Sequence, residues 1–215
     1  MQIAIIGAGN VGASLGKGWA RAGHGICFGV VNPQNPKHQT ALQGAVGSRI
    51  TNVADAVKDA EVLVLAVPWD AVPDAVRACG NLEGRLILDA TNPLKTGPDG
   101  LQLALGFNTS GGEEVARLAS GASVFKTMNQ VGFAVMSDTH GYSSRPLMFV
   151  AGDDAAKKPL VLELISTLGF EAVDAGPLRN ARLLEPYAML WIDQAINHGA
   201  SITNAFGMLH KEGAA

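Results

Sequence analysis

The sequence predicts an α/β protein built on a doubly wound, mostly parallel sheet with a short C-terminal helical unit. Three observations carry this expectation. Short apolar, β-branched runs alternate with amphipathic stretches, as in parallel strands buried on both faces and joined by crossover helices. The first run leads directly into a glycine-rich turn and then a helix-compatible stretch, and after Gly176-Pro177 the pattern stays helical toward the C-terminus.

Taken in order, the strand-like runs are Gln2 to Ile6, Gly25 to Val31, Glu61 to Val67, Arg85 to Asp89, Ser123 to Lys126 and Leu147 to Ala151. The helix-compatible stretch Ala13 to Arg21 ends at Gly23. A weaker run, Glu171 to Asp174, adds an edge strand after a helix from Ala155 to Leu168, which an Asp153 or Asp154 cap opens and Gly169 closes. Between Asn92 and Gly112 the periodicity lapses into Pro93, Gly97, Pro98, Gly100, Gly106, Gly111 and Gly112, which predicts a long loop. Within it, Ser110-Gly111-Gly112-Glu113 has the spacing of a capping box. The final stretch, about Asn180 to Leu209, reads as helical with a break near Gly199.

Composition bounds the function. With 215 residues, 47% hydrophobic and 16% charged, the chain can bury a sizeable core and is not disordered. Charged content sits below the roughly 25% of an average soluble domain, which points to surface covered by a partner or a second copy. The 16 Lys and Arg against 19 Asp and Glu give a net charge of −3 with no block of like charges, which argues against nucleic-acid binding. Apolar runs such as Val62 to Val67 are far short of the ~20 residues that span a bilayer. Met1 to Ile6 has no basic segment and Gly7-Ala8-Gly9 interrupts its apolar run, so a cytoplasmic protein without a signal peptide is expected. Cys27, in a strand, and Cys79, at a helix end, form neither a disulfide framework nor a metal motif, and no metal site is expected. Asp153-Asp154 reads as a cap for the same reason, since spacing suggests no third ligand.

The turn Gly7-Ala8-Gly9-Asn10-Val11-Gly12 carries the chemistry. Its first glycine permits the tight turn, the second lets backbone approach a pyrophosphate, and the third packs helix against strand. A diphosphate would sit on the helix N-terminus, where free N–H groups and the dipole favour an anion. This is the dinucleotide-binding unit of a Rossmann-type fold. Residues 1–176 therefore read as an NAD(P)-binding domain and 177–215 as a helical segment covering its cleft. Cofactor choice is set at the end of the second strand, Phe28 to Pro33, where an acid would hold a ribose 2′-hydroxyl and an arginine a 2′-phosphate. Neither is present. Asn32 could bond either group, and Lys37 or His38 could approach a phosphate, so the chemistry leans to NADP with NAD possible.

Several stretches together resemble the coenzyme F-420-dependent NADP oxidoreductase family: Ile5 to Gly12, Phe28-Gly29-Val30, Ala66-Val67-Pro68-Trp69, Asp89 to Leu94, and Asp174 to Arg182. They also resemble the cytosolic domain of the six-transmembrane metalloreductases. The resemblance implies a cofactor and acceptor meeting in a cleft roofed by the C-terminal helices, commonly in a homodimer. It places dinucleotide contacts on Ala8, Gly9, Asn10, Val11 and Gly12, on the second-strand end, and on Ala66, Val67 and Pro68. The chain departs from the family at Val31, where an arginine for the 2′-phosphate is usual. It departs again at Lys126, where the deazaflavin enzymes carry histidine, and at Pro186 and Ala188, where they carry small hydroxyl residues. Lys126-Thr127-Met128-Asn129 instead has the Lys-x-x-Asn form of many bacterial relatives.

Hydride transfer between a nicotinamide and a flavin-like ring depends on stacking and orientation more than on an acid or base. Pro68 and Asn92 stand at carboxyl ends of strands, where ligands bind in open α/β sheets. Pro68, Asn92, Lys126 and Asn129 are expected to line the nicotinamide and acceptor cleft, with Lys126 and Asn129 the catalytic candidates. A carbonyl or imine substrate would need a proton donor, for which Lys126, His140, Tyr142 and His198 are candidates. The favoured reading is an NAD(P)H-dependent oxidoreductase passing hydride to a flavin, a deazaflavin or a small organic acceptor. The alternatives are a carbonyl or imine reductase, against which the short C-terminal unit argues, and an NADP-holding sensor without turnover. From Leu183 to Leu209 the only charged residues are Glu185 and Asp193, and two apolar stripes at helical spacing predict a homodimer contact.

Overall fold

The computed structural model describes residues 1–98 and 100–211. Its central sheet has eight strands: β1 (Gln2–Ile6), β2 (Gly25–Val30), β3 (Arg49–Asn52), β4 (Val62–Leu65), β5 (Leu86–Asp89), β8 (Ser123–Lys126), β9 (Leu147–Gly152) and β10 (Glu171–Asp174). They run in the order β10-β9-β8-β5-β4-β1-β2-β3. From β3 to β8 all neighbours are parallel; β9 turns antiparallel to β8, and β10 pairs parallel with β9. The expected Rossmann-type architecture is therefore present.

The apolar runs become strands because helices cover both sheet faces, so neither side chain of a strand pair meets water. Ile3, Ile5, Val62 and Val64 enter a core with Trp19, Phe28, Phe125 and Phe170. Their alternates Ala4, Ile6, Leu63 and Leu65 enter a second core with Val76, Ile87 and Val115. On the first face lies α1 (Asn10–Arg21), whose fully buried Trp19 donates its indole N–H to Leu164 O at 3.1 Å. Leu164 belongs to α6 (Lys158–Ser166). The second face carries α2 (Val53–Lys58), α3 (Val72–Ala78) and α4 (Gly111–Leu118). The helix expected from Ala155 starts at Lys158 with Lys157 as its N-cap, and Asp154 instead accepts from the N–H groups of Ala156 and Lys157 in the turn that precedes it.

The structure corrects the sequence reading in three further places. Edge strand β3 went unpredicted because Arg49-Ile50-Thr51-Asn52 is short and polar, as an edge tolerates. The region expected to be a long loop contains an antiparallel hairpin, β6 (Leu94–Gly97) with β7 (Gly100–Leu103), and ends in α4. In the last segment, α7 (Ala181–Asn197) forms, but the helix does not resume beyond Gly199, which takes φ +67°. Residues 200–211 run as a non-helical strap, tied down by Leu147 N–H to Phe206 O at 2.8 Å and Trp191 Nε1 to Asn204 O at 2.8 Å. Among the described residues no helix is long and apolar enough to cross a membrane.

Candidate dinucleotide groove

Beyond β1 the chain reverses at Gly7, which takes φ +109° and donates its N–H to Gly29 O at 3.0 Å. A Cβ on Gly7 would lie 2.3 Å from Ala66 O, and one on Gly12 would lie 2.2 Å from Gly7 O. Both glycines are thus required by backbone packing. Gly9 is different. It is extended (φ −79°, ψ −170°), precedes α1 without a side-chain cap, and a Cβ there would meet nothing within 4 Å. The N–H groups of the first turn of α1 are therefore left for a ligand, at the positive end of the helix dipole. The open space over Gly9 fits the approach of a diphosphate.

Gly9 and Asn10 floor a groove of two lobes. One lobe, about 520 Å³, is walled by Val11, by Ala66-Val67-Pro68 at the end of β4, by Ala90-Thr91-Asn92 at the end of β5, and by Trp69, Asp70, Leu94 and Phe133. The other, about 460 Å³, is walled by Ala8, Ala13, Ser14, Lys37, His38, Thr40 and Phe133. The half-exposed ring of Phe133, which begins α5 (Phe133–Ser137), borders both lobes opposite the glycine loop. Lys37, His38 and Thr40 come from a 3₁₀ turn, Pro36–Leu42, opened by the Asn35 side chain, which accepts from the Lys37 N–H at 3.1 Å. One lobe thus carries a lysine and a histidine with no acid; the other has Asp70 as its single ionisable side chain.

Of the residues predicted to hold the cofactor, Ala8, Gly9, Asn10, Val11, Lys37, Ala66, Val67, Pro68 and Asn92 line this groove, while Gly7 and Gly12 shape its floor. Val31 and Asn32 stand outside the lining. Val31 is 97% exposed, and the Asn32 carboxamide accepts from the Gln34 N–H.

Lys126 requires a correction. Its side chain is fully buried and does not reach the groove surface. Its Nζ donates to Asp89 Oδ2 at 2.9 Å and to Thr91 O at 2.6 Å, and pairs with Glu185 Oε1 at 3.1 Å, which uses all three ammonium protons. Burial opposes the charge, but the two carboxylates outweigh it and hold the ammonium above its ordinary value. With its three protons engaged and its side chain sealed from the groove, Lys126 makes no contact through which a proton could pass to a groove ligand. Asn129 is also buried and stands behind Asn92: Asn92 Nδ2 donates to Asn129 O, and Asn129 Nδ2 to Asn92 Oδ1, each at 3.1 Å. Immediately before Asn129, Met128, fully buried, takes the left-handed φ of +58°, a costly conformation outside glycine.

The remaining acid–base candidates lie elsewhere. His140 pairs with Asp138 on the surface, Tyr142 bonds the C-terminal strap at Thr203 O, and His198 meets Asp193 at 3.1 Å, all outside the groove lining. Cys27 and Cys79 are buried free thiols, and no metal-binding cluster occurs among the described residues. Phe133, Thr40 and Glu185 were missed, and Trp69 was named only within a motif and given no role. Of the three missed, only Glu185 left a signal, an acid on the apolar face of a helix.

Fold and groove together define a Rossmann-type protein with a groove suited to a dinucleotide, and the relatives it resembles are named as NADP oxidoreductases. The model of the family described as NADP oxidoreductase, coenzyme F420-dependent, matches residues 2–93, which span β1 to β5. The F420-dependent NADP reductase of Methanothermobacter marburgensis is 27% identical over 95% of this chain and 99% of its own length. A crystal structure from Arthrobacter sp. FB24, provisionally described as an F420-dependent NADP reductase, superposes with a TM-score of 0.84 at 28% identity, covering 94% of this chain and 96% of that one. Rat metalloreductase STEAP3 is 26% identical over 86% of this chain, which spans 36% of that protein's length. The resemblance read from the motifs is thus matched along nearly the whole chain.

Proposed function

We propose that the chain binds NADP along the groove and exchanges hydride between its nicotinamide and a planar, flavin- or deazaflavin-like acceptor. One observation carries this reading: a continuous groove joins a basic lobe at Lys37 and His38, across the open N-terminus of α1, to a nearly uncharged lobe at the ends of β4 and β5. In the basic lobe, the lysine, the imidazole and the Thr40 hydroxyl suit a ribose 2′-phosphate, replacing the strand-end arginine that Val31 lacks. The α1 N–H groups take the diphosphate, and Ala66 to Pro68 with Asn92 bound the nicotinamide.

When bound, the nicotinamide supplies the hydride. The protein borders the ring with Pro68, Trp69 and Phe133, and the lining offers no ionisable donor there but Asp70. That absence favours an acceptor which delocalises the charge it receives over a carbonyl or imine, whose oxygen or nitrogen must be protonated. On the outer face of α7, Leu183 and Leu190 are exposed one above the other, opposite the buried Leu184 and Ala188. This stripe supports pairing of two copies through α7, the second part of the proposal.

The test is loss of NADPH absorbance with coenzyme F-420, with FMN and with a panel of aldehydes and cyclic imines. Oxidation by F-420 or FMN is expected. Oxidation by the carbonyl or imine panel alone would overturn the flavin-like acceptor, and tight NADPH binding without oxidation by any acceptor would favour a sensor.

A further inference from the structure

The buried charges beneath the groove do not touch the ligand space, yet they grip the residue that forms its wall. Asp89 Oδ1 accepts both the N–H of Thr91 at 2.9 Å and its hydroxyl at 2.7 Å, while Lys126 donates to the Thr91 carbonyl at 2.6 Å. Backbone N–H, backbone C=O and hydroxyl of this one groove residue are thus all fixed by the same ion pair. Thr91 adjoins Asn92, whose carboxamide is locked to Asn129. On the other side, Glu185 of α7 pairs with Lys126 and accepts the N–H groups of Gly111 and Gly112, at 2.9 Å each, at the start of α4.

We infer that Asp89, Lys126 and Glu185 form a positioning unit through which α7 sets the nicotinamide wall of the groove. The inference rests on the reading of the groove given above. All three side chains are at most 2% exposed, and one ammonium faces two carboxylates, the surplus negative charge being met by the two α4 N–H groups. Apolar side chains would hold the same elements together at lower desolvation cost. They would not orient a carbonyl, an N–H and a hydroxyl at one groove residue. Glu185 carries this control from α7, which lines neither lobe of the groove, so Lys126 and Glu185 are positioning residues and neither is catalytic.

The test compares wild type with Glu185→Gln and Glu185→Asp in three readouts: affinity for 2′,5′-ADP, which fills only the basic lobe; fluorescence of bound NADPH; and kcat for NADPH oxidation. In Glu185→Gln the amide N–H₂ opposes a backbone N–H donor, so the unit slackens while the distant lobe is spared. The expected result is 2′,5′-ADP affinity within twofold of wild type, weaker bound-NADPH emission, and kcat lower by about 10- to 100-fold, the scale of an ångström's misplacement. Glu185→Asp, which keeps the charge and serves if the Gln variant does not fold, should recover part of the loss. Unchanged kcat and emission in a folded variant, or an equal loss of 2′,5′-ADP and NADPH affinity, would overturn the inference alone. A wild-type protein that binds neither ligand would overturn the reading of the groove, and the inference with it.

Discussion

Alanine at Gly9 and alanine at Gly12 should fail in opposite ways, although only two residues separate them. At Gly12 the new methyl would sit 2.2 Å from the Gly7 carbonyl oxygen. Overpacking of this kind costs about 1–3 kcal/mol or more, here against backbone that cannot rotate aside. Relief of a helical glycine returns about 1 kcal/mol. A net loss near 2 kcal/mol should lower Tm by about 4–8 °C in a chain of this size. At Gly9 a methyl meets nothing within 4 Å and φ is −79°, so the fold has room for it. A poorer N-cap, about 0.5–1 kcal/mol, is offset by about 0.4–1 kcal/mol of unfolded-chain entropy, leaving Tm nearly unchanged. The methyl would, however, occupy the approach to the α1 N–H groups. Losing two charge-assisted hydrogen bonds at about 1.5–3 kcal/mol each weakens NADPH binding by about 100-fold or more. Thermal unfolding with NADPH titration of both variants is the assay. A Gly9→Ala protein that binds NADPH like wild type, or one that loses as much Tm as Gly12→Ala, would refute the assignment of the groove floor.

Three further outcomes are expected. Arg182 and the Ser110 hydroxyl hold the Glu113 carboxyl below its ordinary value, so this pair ties α7 to α4 with stability that is present above the unfolded carboxyl range, about pH 4.3, and lost as pH falls through the depressed folded value. Because the pair is about a third exposed, Glu113→Gln should lower Tm by only about 1–2 °C at pH 7, with the difference closing below about pH 4; a gap that persists in acid would show that the charge is not responsible. Burial pushes the Cys79 thiol up to about 11 and also raises that of Cys27, so a thiol reagent at pH 8 should label neither until the chain is unfolded, and fast native labelling would show that a core opens locally. Light scattering at micromolar concentration should give a dimer that Leu183→Glu with Leu190→Glu converts to monomer; a monomeric wild type would sink the α7 contact.

Much of this molecule was legible because its central strands are buried on two faces and so are written as unbroken apolar runs, Ile3 to Ile6 and Val62 to Leu65 among them. What escaped was written in a different code. Strand β3 lies at the sheet edge, where Arg49 and Asn52 face water, and the β6–β7 hairpin is so rich in glycine and proline that its alternation of Leu94, Thr96, Leu101 and Leu103 was masked. The strap after Gly199 keeps apolar residues at near-helical spacing, yet Ser201 and Thr203 bond each other and Tyr142, Trp191 and Leu147 bind its carbonyls.

The glycine loop was legible in full because its requirements are local. The environment of Lys126 was not, since Asp89 is 37 positions away and Glu185 lies on another element altogether. A lysine in an apolar strand is as consistent with a groove residue as with a buried pair until the partners are placed. Val31 stands outside the groove lining for a local reason. A strand-end position marks where a 2′-phosphate is read in relatives, but here the basic residues that line the groove belong to the following turn.

The central claim is that one groove holds NADP with its 2′-phosphate against Lys37, His38 and Thr40. Its most direct test is the ratio of dissociation constants for NADPH and NADH, by nicotinamide fluorescence at fixed ionic strength. Tighter binding of NADPH by about tenfold or more is predicted, as one or two charge-assisted contacts to a phosphate supply. Equal affinities, or a preference for NADH, would contradict it.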